Sequence, residues 1–260
     1  MKLRVVELLL VTTLPALFLA AKGVPPLGIT VATLIGGTLA AGASNAFNMI
    51  IEVDSDRLMV RTANRPIVSG AVTEAQAFIF ASALTVISLT IFSIFTTLWA
   101  TILTAAAIVF YVFGYTIGLK RRTSQNIVWG GIAGCIPVLI GWAAITNSLS
   151  LTAWLFFLVI FFWTPPHFWA LAIKYRDDYA AAGIPMLPVV ASIASVKKQM
   201  WFHTIGMVVT SLAVNWSEHL PWWCWVITIA IALGFILELL KIDGPDSNKA
   251  AAKLFQWSIT

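Results

Sequence analysis

The chain has 260 residues, of which 60% are hydrophobic and only 10% are charged, and its formal net charge is +5. Its mean hydropathy of +0.91 excludes an ordinary soluble domain and predicts an integral membrane protein embedded in a lipid bilayer. The positive charge reflects how the loops are placed about the bilayer, so it is not evidence of nucleic-acid binding.

Apolar runs of about 17–25 residues are long enough to cross a bilayer as helices. The sequence contains eight such runs, and residues 254–260 have the composition of the start of a ninth. We therefore predict an all-α fold, a polytopic transmembrane helix bundle in which residues 1–260 form one domain. The predicted spans lie near residues 5–21, 27–51, 77–97, 99–118, 127–146, 151–173, 199–216 and 222–240.

The basic residues predict the orientation of these spans, since Lys and Arg stay in cytoplasmic loops. With the N-terminus inside, every Lys and Arg except Lys22 falls on the cytoplasmic side. An added or missing helix would scatter the later charges over both sides. The sequence therefore predicts a multi-pass protein of the cell membrane, with its N-terminus and its charged loops in the cytoplasm.

A cluster of acids, amides and arginines follows the second span. Asn48, Glu52 and Asp56 stand at i, i+4 and i+8, so they share one face if the helix continues beyond its apolar part. Two carboxylates and an amide suit Mg²⁺, while Arg61 and Arg65 just behind them match phosphate oxygens. The cluster predicts diphosphate chemistry, although its charges could also only neutralise one another in a solvated loop.

A second acidic segment follows the sixth span on the same side and contains Asp177 and Asp178. A substrate with two phosphates could be held between the two acidic segments. Lys120 and Arg121 lie in another loop of this side, where they could bind diphosphate or only anchor the topology.

The sixth span also carries His167 directly after Pro165 and Pro166. Consecutive prolines are expected to kink or open a helix because they remove backbone donors. A histidine beside such an opening could ligate haem iron or bind a substrate. It could equally be a packing histidine whose hydrogen bonds are satisfied inside the bundle.

These motifs resemble those of the intramembrane aromatic prenyltransferase superfamily. The first cluster is similar to its Asn- and Asp-rich signature, with Asn48, Glu52 and Asp56 at the three spaced positions. The stretches LKRRTSQNIVWGGIAG from Leu119, TPPHFWALA from Thr164 and YRDDYAAAGIPMLPVV from Tyr175 are similar to the protoheme IX farnesyltransferase branch. The resemblance covers nearly the whole chain, and it implies a ninth helix that is cut short at Thr260.

The resemblance implies an Mg²⁺-dependent transferase that joins farnesyl diphosphate to a vinyl group of haem b, with addition of water, to give haem O for haem A synthesis. Other enzymes of that pathway are possible partners. The resemblance implies the following residue roles. Asn48, Glu52, Asp56, Asp177 and Asp178 are catalytic, with Glu52, Asp56 and Asp178 on the metal; Arg61, Arg65, Lys120 and Arg121 bind diphosphate; His167 and Lys174 bind haem.

Two other functions are compatible with parts of the pattern. A sister prenyltransferase acting on 4-hydroxybenzoate or another quinone precursor would share the first cluster. A membrane transporter would also carry charged groups and broken helices. Its polar groups should lie near the bilayer midplane, however, whereas those of this chain cluster at the predicted cytoplasmic ends.

Overall fold

A computed structural model describes residues 3–59, 62–243 and 247–259, with side chains from Leu9 onward. The described residues form helices, turns and loops and contain no strand, which confirms the predicted all-α class. The helices are α1 Leu3–Ala21, α2 Leu27–Ile51, α3 Val53–Leu58, α4 Glu74–Phe95, α5 Leu98–Val109, a π-helix Phe110–Leu119, α6 Asn126–Gly130, α7 Ile132–Thr146, α8 Leu151–Lys174, α9 Arg176–Ala181, α10 Leu187–Val190, α11 Ile193–Ser217, α12 Trp222–Leu240 and α13 Ser247–Trp257.

Six of the eight predicted spans are long and apolar enough to cross a membrane, counted over the described residues. For α1 the part with described side chains, Leu9–Ala21, is apolar but shorter than a full span. In α11, polar residues such as His203 and Asn215 lower the hydropathy. These side chains find partners inside the bundle, since His203 Nδ1 lies 2.9 Å from the Gln199 carbonyl oxygen and Asn215 donates to Thr228.

Small residues allow the helices of the N-terminal half to approach closely, as is common in membranes. A side chain at Gly141 of α7 would lie 2.9 Å from the backbone oxygen of Thr13 in α1. At Gly36 of α2, an added Cβ would lie 2.8 Å from the ring of Phe92 in α4. Ser88 donates to the Gly36 carbonyl at 2.7 Å, so α2 and α4 are also joined by a buried hydrogen bond.

The C-terminal half packs around α8. Trp169 of α8, Met200 of α11 and Leu254 of α13 belong to one buried apolar cluster. α8 continues through Pro165 and Pro166 without an interruption, which differs from the opening that the double proline predicts. The predicted fragment of a ninth helix is part of α13, which begins at Ser247 and packs inside this half.

Candidate functional site

The first acidic cluster lies where α2 ends and α3 begins. Glu52 is the residue between the two helices, yet the four-residue spacing survives: its N–H donates to the Asn48 carbonyl at 3.0 Å, and the Asp56 N–H donates to the Glu52 carbonyl at 2.8 Å. Asn48, Glu52 and Asp56 are all buried, at 1%, 3% and 4% exposure. Asp54 instead points into solvent and contacts Arg57 at 3.4 Å.

Two of the predicted phosphate-binding cations lie directly on these acids. Nζ of Lys120 lies 2.5 Å from Oε1 of Glu52 and 2.6 Å from Oε2, and Arg65 pairs with Asp56. Buried charges require such partners because leaving one unpaired is costly. The structure thus joins residues from two separate connections between spans, one after α2 and one after the π-helix, into one ionic cluster.

The remaining predicted cations are placed differently. Arg121 donates through Nη2 to the Ser55 hydroxyl at 2.8 Å, which brings its guanidinium beside the cluster. Arg61 lies outside the described residues.

A π-helix presents Lys120 to this cluster. Its i→i−5 hydrogen bonding extends to the cap, where the Lys120 N–H donates to the Tyr115 carbonyl at 2.9 Å. One turn earlier, the Thr116 hydroxyl accepts from Asn48 Nδ2 at 3.2 Å. The pairs Asn48–Thr116 and Glu52–Lys120 show that the ends of α2 and the π-helix run side by side in the same direction. The sequence analysis did not identify Thr116. Its position four residues before Lys120 places both residues on one helix face, which could have indicated it.

The second acidic segment forms α9 at the same end of the bundle. Tyr179 of α9 and Met59, which follows α3, belong to one buried apolar cluster, so both acidic segments border the same part of the core. Asp177 is exposed and Asp178 is half-buried. Within the described parts of the chain, however, no three His, Cys, Asp or Glu side chains lie close enough together to hold a metal ion. A metal shared between the two segments therefore stays a prediction.

His167 lies inside the C-terminal half, away from solvent. Its Nδ1 is 2.6 Å from the Ser258 hydroxyl, and its ring stacks between Trp163 and Phe255 with centroids 4.3 and 4.6 Å away. Both faces of the imidazole are therefore covered by aromatic rings.

Lys174 lies at the end of the same helix. Its Nζ is 5.3 Å from the ring centroid of Tyr175. It also lines a polar groove with Arg176, Asp177 and Asn248, which does not include the buried acids Glu52 and Asp56.

An apolar cavity approaches the ionic cluster from within the bundle. Its volume is about 90 Å³, which is below the range of about 300–1,000 Å³ typical of ligand sites. Small and apolar side chains dominate its wall, while Asn45 and Tyr111 mark its polar end. Asn45 precedes Asn48 by less than one turn of α2. The arrangement of an ionic cluster beside an apolar cavity suits an amphiphile with an anionic head and a hydrocarbon tail.

Comparisons with known proteins show the family and the fold. A model of the UbiA prenyltransferase family matches residues 9–259. A protoheme IX farnesyltransferase from Frankia casuarinae is 48% identical over 265 residues, covering 100% of this chain and 91% of that protein.

Two solved structures share the fold. The apo form of a UbiA homolog from Aeropyrum pernix K1 has a TM-score of 0.81 at 20% identity, covering 100% of this chain and 95% of that one. A UbiA homolog from Archaeoglobus fulgidus bound to DMAPP and Mg²⁺ has a TM-score of 0.74 at 16% identity, covering 99% and 96%.

Proposed function

Because the chain belongs to the UbiA prenyltransferase family and is therefore a transferase, as its motifs predicted, we propose that it farnesylates haem. A farnesyl group passes from farnesyl diphosphate to a vinyl group of haem b, and water adds to give haem O. The choice of farnesyl diphosphate as the donor rests on one observation, the buried ionic cluster beside an apolar cavity. The acceptor assignment is supported by the 48% identical relative, whose name specifies protoheme IX.

The diphosphate would dock at the ionic cluster. Arg65, Lys120 and Arg121 already converge there, and Arg61 is the fourth cation of this proposal. Guanidinium groups bind phosphate oxygens in pairs, whereas the lysine acts as a point charge. As the diphosphate binds, these cations exchange part of their contact with carboxylates for contact with phosphate.

The buried donor atoms of this site are of the chemical type that binds magnesium. Asn48, Glu52 and Asp56 offer hard oxygen ligands on one buried face, which is the ligand type that Mg²⁺ prefers, and Asp178 would complete the set from α9. When bound, Mg²⁺ supplies positive charge that stabilises the leaving diphosphate. A structure of the same fold bound to DMAPP and Mg²⁺ supports this choice of metal.

The farnesyl tail would occupy the apolar cavity, whose walls would have to move apart to admit it. Asn45 at its polar end and Thr33 deeper in α2 both line it, and twelve residues of helix separate them by about 18 Å. Its dry wall would shelter the allylic cation that forms when diphosphate leaves, because little water is present to capture it. The vinyl group of haem b then attacks this cation, and water adds to the new carbocation with loss of a proton.

Haem placement is the role that we propose for His167 and Lys174. The imidazole would orient the macrocycle from within the C-terminal half through Nε2, while Nδ1 keeps its contact with Ser258. Lys174 at the end of α8 is exposed and would meet a propionate. The product would pass to the enzymes that convert haem O to haem A.

We also propose that the ionic cluster faces the cytoplasm of the cell. The support is the loop charge, since Lys22 is the only basic residue that falls on the opposite side. A membrane-impermeant thiol reagent should label Lys22→Cys from outside intact cells but not Arg57→Cys, in a chain whose Cys135 and Cys224 are replaced by Ser. The opposite labelling would invert the topology.

The acceptor decides the function. Purified protein would be incubated with farnesyl diphosphate and MgCl₂ and either haem b or 4-hydroxybenzoate, and the products would be identified by mass spectrometry. We expect a haem product heavier by one farnesyl group and one hydroxyl, and its loss when EDTA removes the metal. A prenylated phenol instead would assign the chain to the quinone branch. No product from either acceptor, in protein that binds farnesyl diphosphate, would overturn the proposal.

A further inference from the structure

The Thr116 hydroxyl lies between the end of α2 and the backbone of the π-helix. It donates to the Tyr111 carbonyl at 2.9 Å and lies 3.2 Å from Asn48 Nδ2. A threonine hydroxyl has a single proton. Since that proton is used on Tyr111, the hydroxyl must accept from Asn48.

This assignment fixes the side-chain amide of Asn48. Its NH₂ group is directed at Thr116, so its carbonyl oxygen is the end turned away from the π-helix. Rotating the amide by half a turn would place its oxygen against the Thr116 oxygen. Both residues are buried, at 1% and 4% exposure, so two facing acceptors could not be relieved by bulk water and would cost free energy.

The contact also sets the register between the two helices. Thr116 and Lys120 are four residues apart, as are Asn48 and Glu52, and each pair meets across the same interface. One contact is neutral and deeper in the bundle, and the other is ionic and nearer its end.

We infer that Thr116 is a positioning residue for prenyl transfer, which presents the Asn48 amide oxygen to the magnesium diphosphate. This inference rests on the proposed function of the site. Thr116 does not itself touch the substrate; it acts by orienting Asn48 and by holding the π-helix that carries Lys120.

Two substitutions of similar size test this role. Thr116→Val replaces the hydroxyl with a methyl group of nearly the same shape, and Thr116→Ser keeps the hydroxyl. Thr116→Val should lower kcat/KM for farnesyl diphosphate roughly ten- to hundredfold, since a buried donor loses its partner. Thr116→Ser should stay within about threefold of the parent chain on the same argument.

A binding measurement separates positioning from a general loss of activity. Farnesyl S-thiolodiphosphate, an unreactive analogue, would be titrated at increasing MgCl₂ concentrations. Thr116→Val should require more Mg²⁺ for half-maximal binding, and Thr116→Ser should restore the parent value. If Thr116→Val fails to fold in detergent, Thr116→Ala supports the same comparison, because a smaller side chain introduces no clash.

Unchanged turnover and unchanged Mg²⁺ dependence in Thr116→Val, with an active parent chain, would overturn the inference and leave the proposed function intact. Equal losses in the Val and Ser variants would also overturn it, because the hydroxyl would then not be the cause. Failure of the parent chain to transfer farnesyl to any acceptor would instead overturn the proposed function.

Discussion

The ammonium group of Lys120 contacts both carboxylate oxygens of Glu52, at 2.5 and 2.6 Å. Glu52 is 3% exposed, so its charge depends on this lysine rather than on water. Removing one partner of such a buried pair lowers the stability of the protein, because the other charge is left buried without a counterion. The same pair therefore contributes both to folding and to the charge balance of the proposed diphosphate site.

Separating these two contributions requires a paired substitution. Lys120→Met should destabilise the protein by about 3–5 kcal/mol because Glu52 loses its counterion. Adding Glu52→Gln should recover most of that stability without recovering turnover. Thermal unfolding in detergent and product formation would be measured on both variants. Recovery of activity in the double variant would show that neither charge serves the reaction.

The two aspartates of α3 form a natural comparison. Asp56 is buried and paired with Arg65, whereas Asp54 is exposed beside Arg57. We expect Asp56→Asn to lower turnover by about 10²–10³-fold, the usual effect of losing one electrostatic group in a site. Asp54→Asn should leave turnover within about twofold, because exposed ion pairs contribute little. Equal effects in the rate assay would contradict the placement of the site on the buried face.

The depth of the apolar cavity predicts selectivity for the donor chain. Gly37 lines the cavity, and a Cβ added there meets no atom within 4 Å. Gly37→Leu should therefore fill the cavity and lower kcat/KM for farnesyl diphosphate more than for the shorter geranyl diphosphate.

Gly134→Leu is the matched control for this prediction. Its Cβ also meets nothing within 4 Å, and Gly134 is not among the residues lining the cavity. Both substitutions favour helix by up to about 1 kcal/mol, so neither should unfold the protein. If Gly37→Leu left the ratio of the two donors unchanged, the tail would not lie in this cavity.

The stacked position of His167 allows its packing role to be separated from haem binding. Phenylalanine keeps the stack with Trp163 and Phe255 but cannot ligate iron. We expect His167→Phe to weaken haem affinity while the melting temperature changes little. His167→Ala should also destabilise the protein by about 2–4 kcal/mol, since it leaves a cavity. Parent-like Soret titration of His167→Phe would assign His167 to packing alone.

Helix positions could largely be predicted from the sequence because hydropathy is a local property. The span expected near 27–51 is α2, Leu27–Ile51, and the span expected near 222–240 is α12, Trp222–Leu240. The opening expected at Pro165 and Pro166 is absent, because α8 continues through both prolines. Neighbouring helices support it there on several sides, and this packing could not be read from the sequence.

The site was predictable only in part. The spacing of Asn48, Glu52 and Asp56 follows from helical periodicity, so their common burial could be anticipated. The depth of His167 was also visible in its place within an apolar run. Its stacking partner Trp163 stands four residues earlier on the same helix, but Phe255 could not be predicted, because it comes from a helix that begins far along the chain at Ser247.

The sequence by itself determined that this protein is embedded in a membrane and that Glu52 and Asp56 share a helix face, since both properties depend on residues within a few helical turns. Only the tertiary structure decided that Lys120 neutralises Glu52 and that Thr116 accepts a hydrogen bond from Asn48. Glu52 and Lys120, like Asn48 and Thr116, are 68 residues apart, and their contacts depend on how α2 packs against the π-helix, which no local pattern encodes.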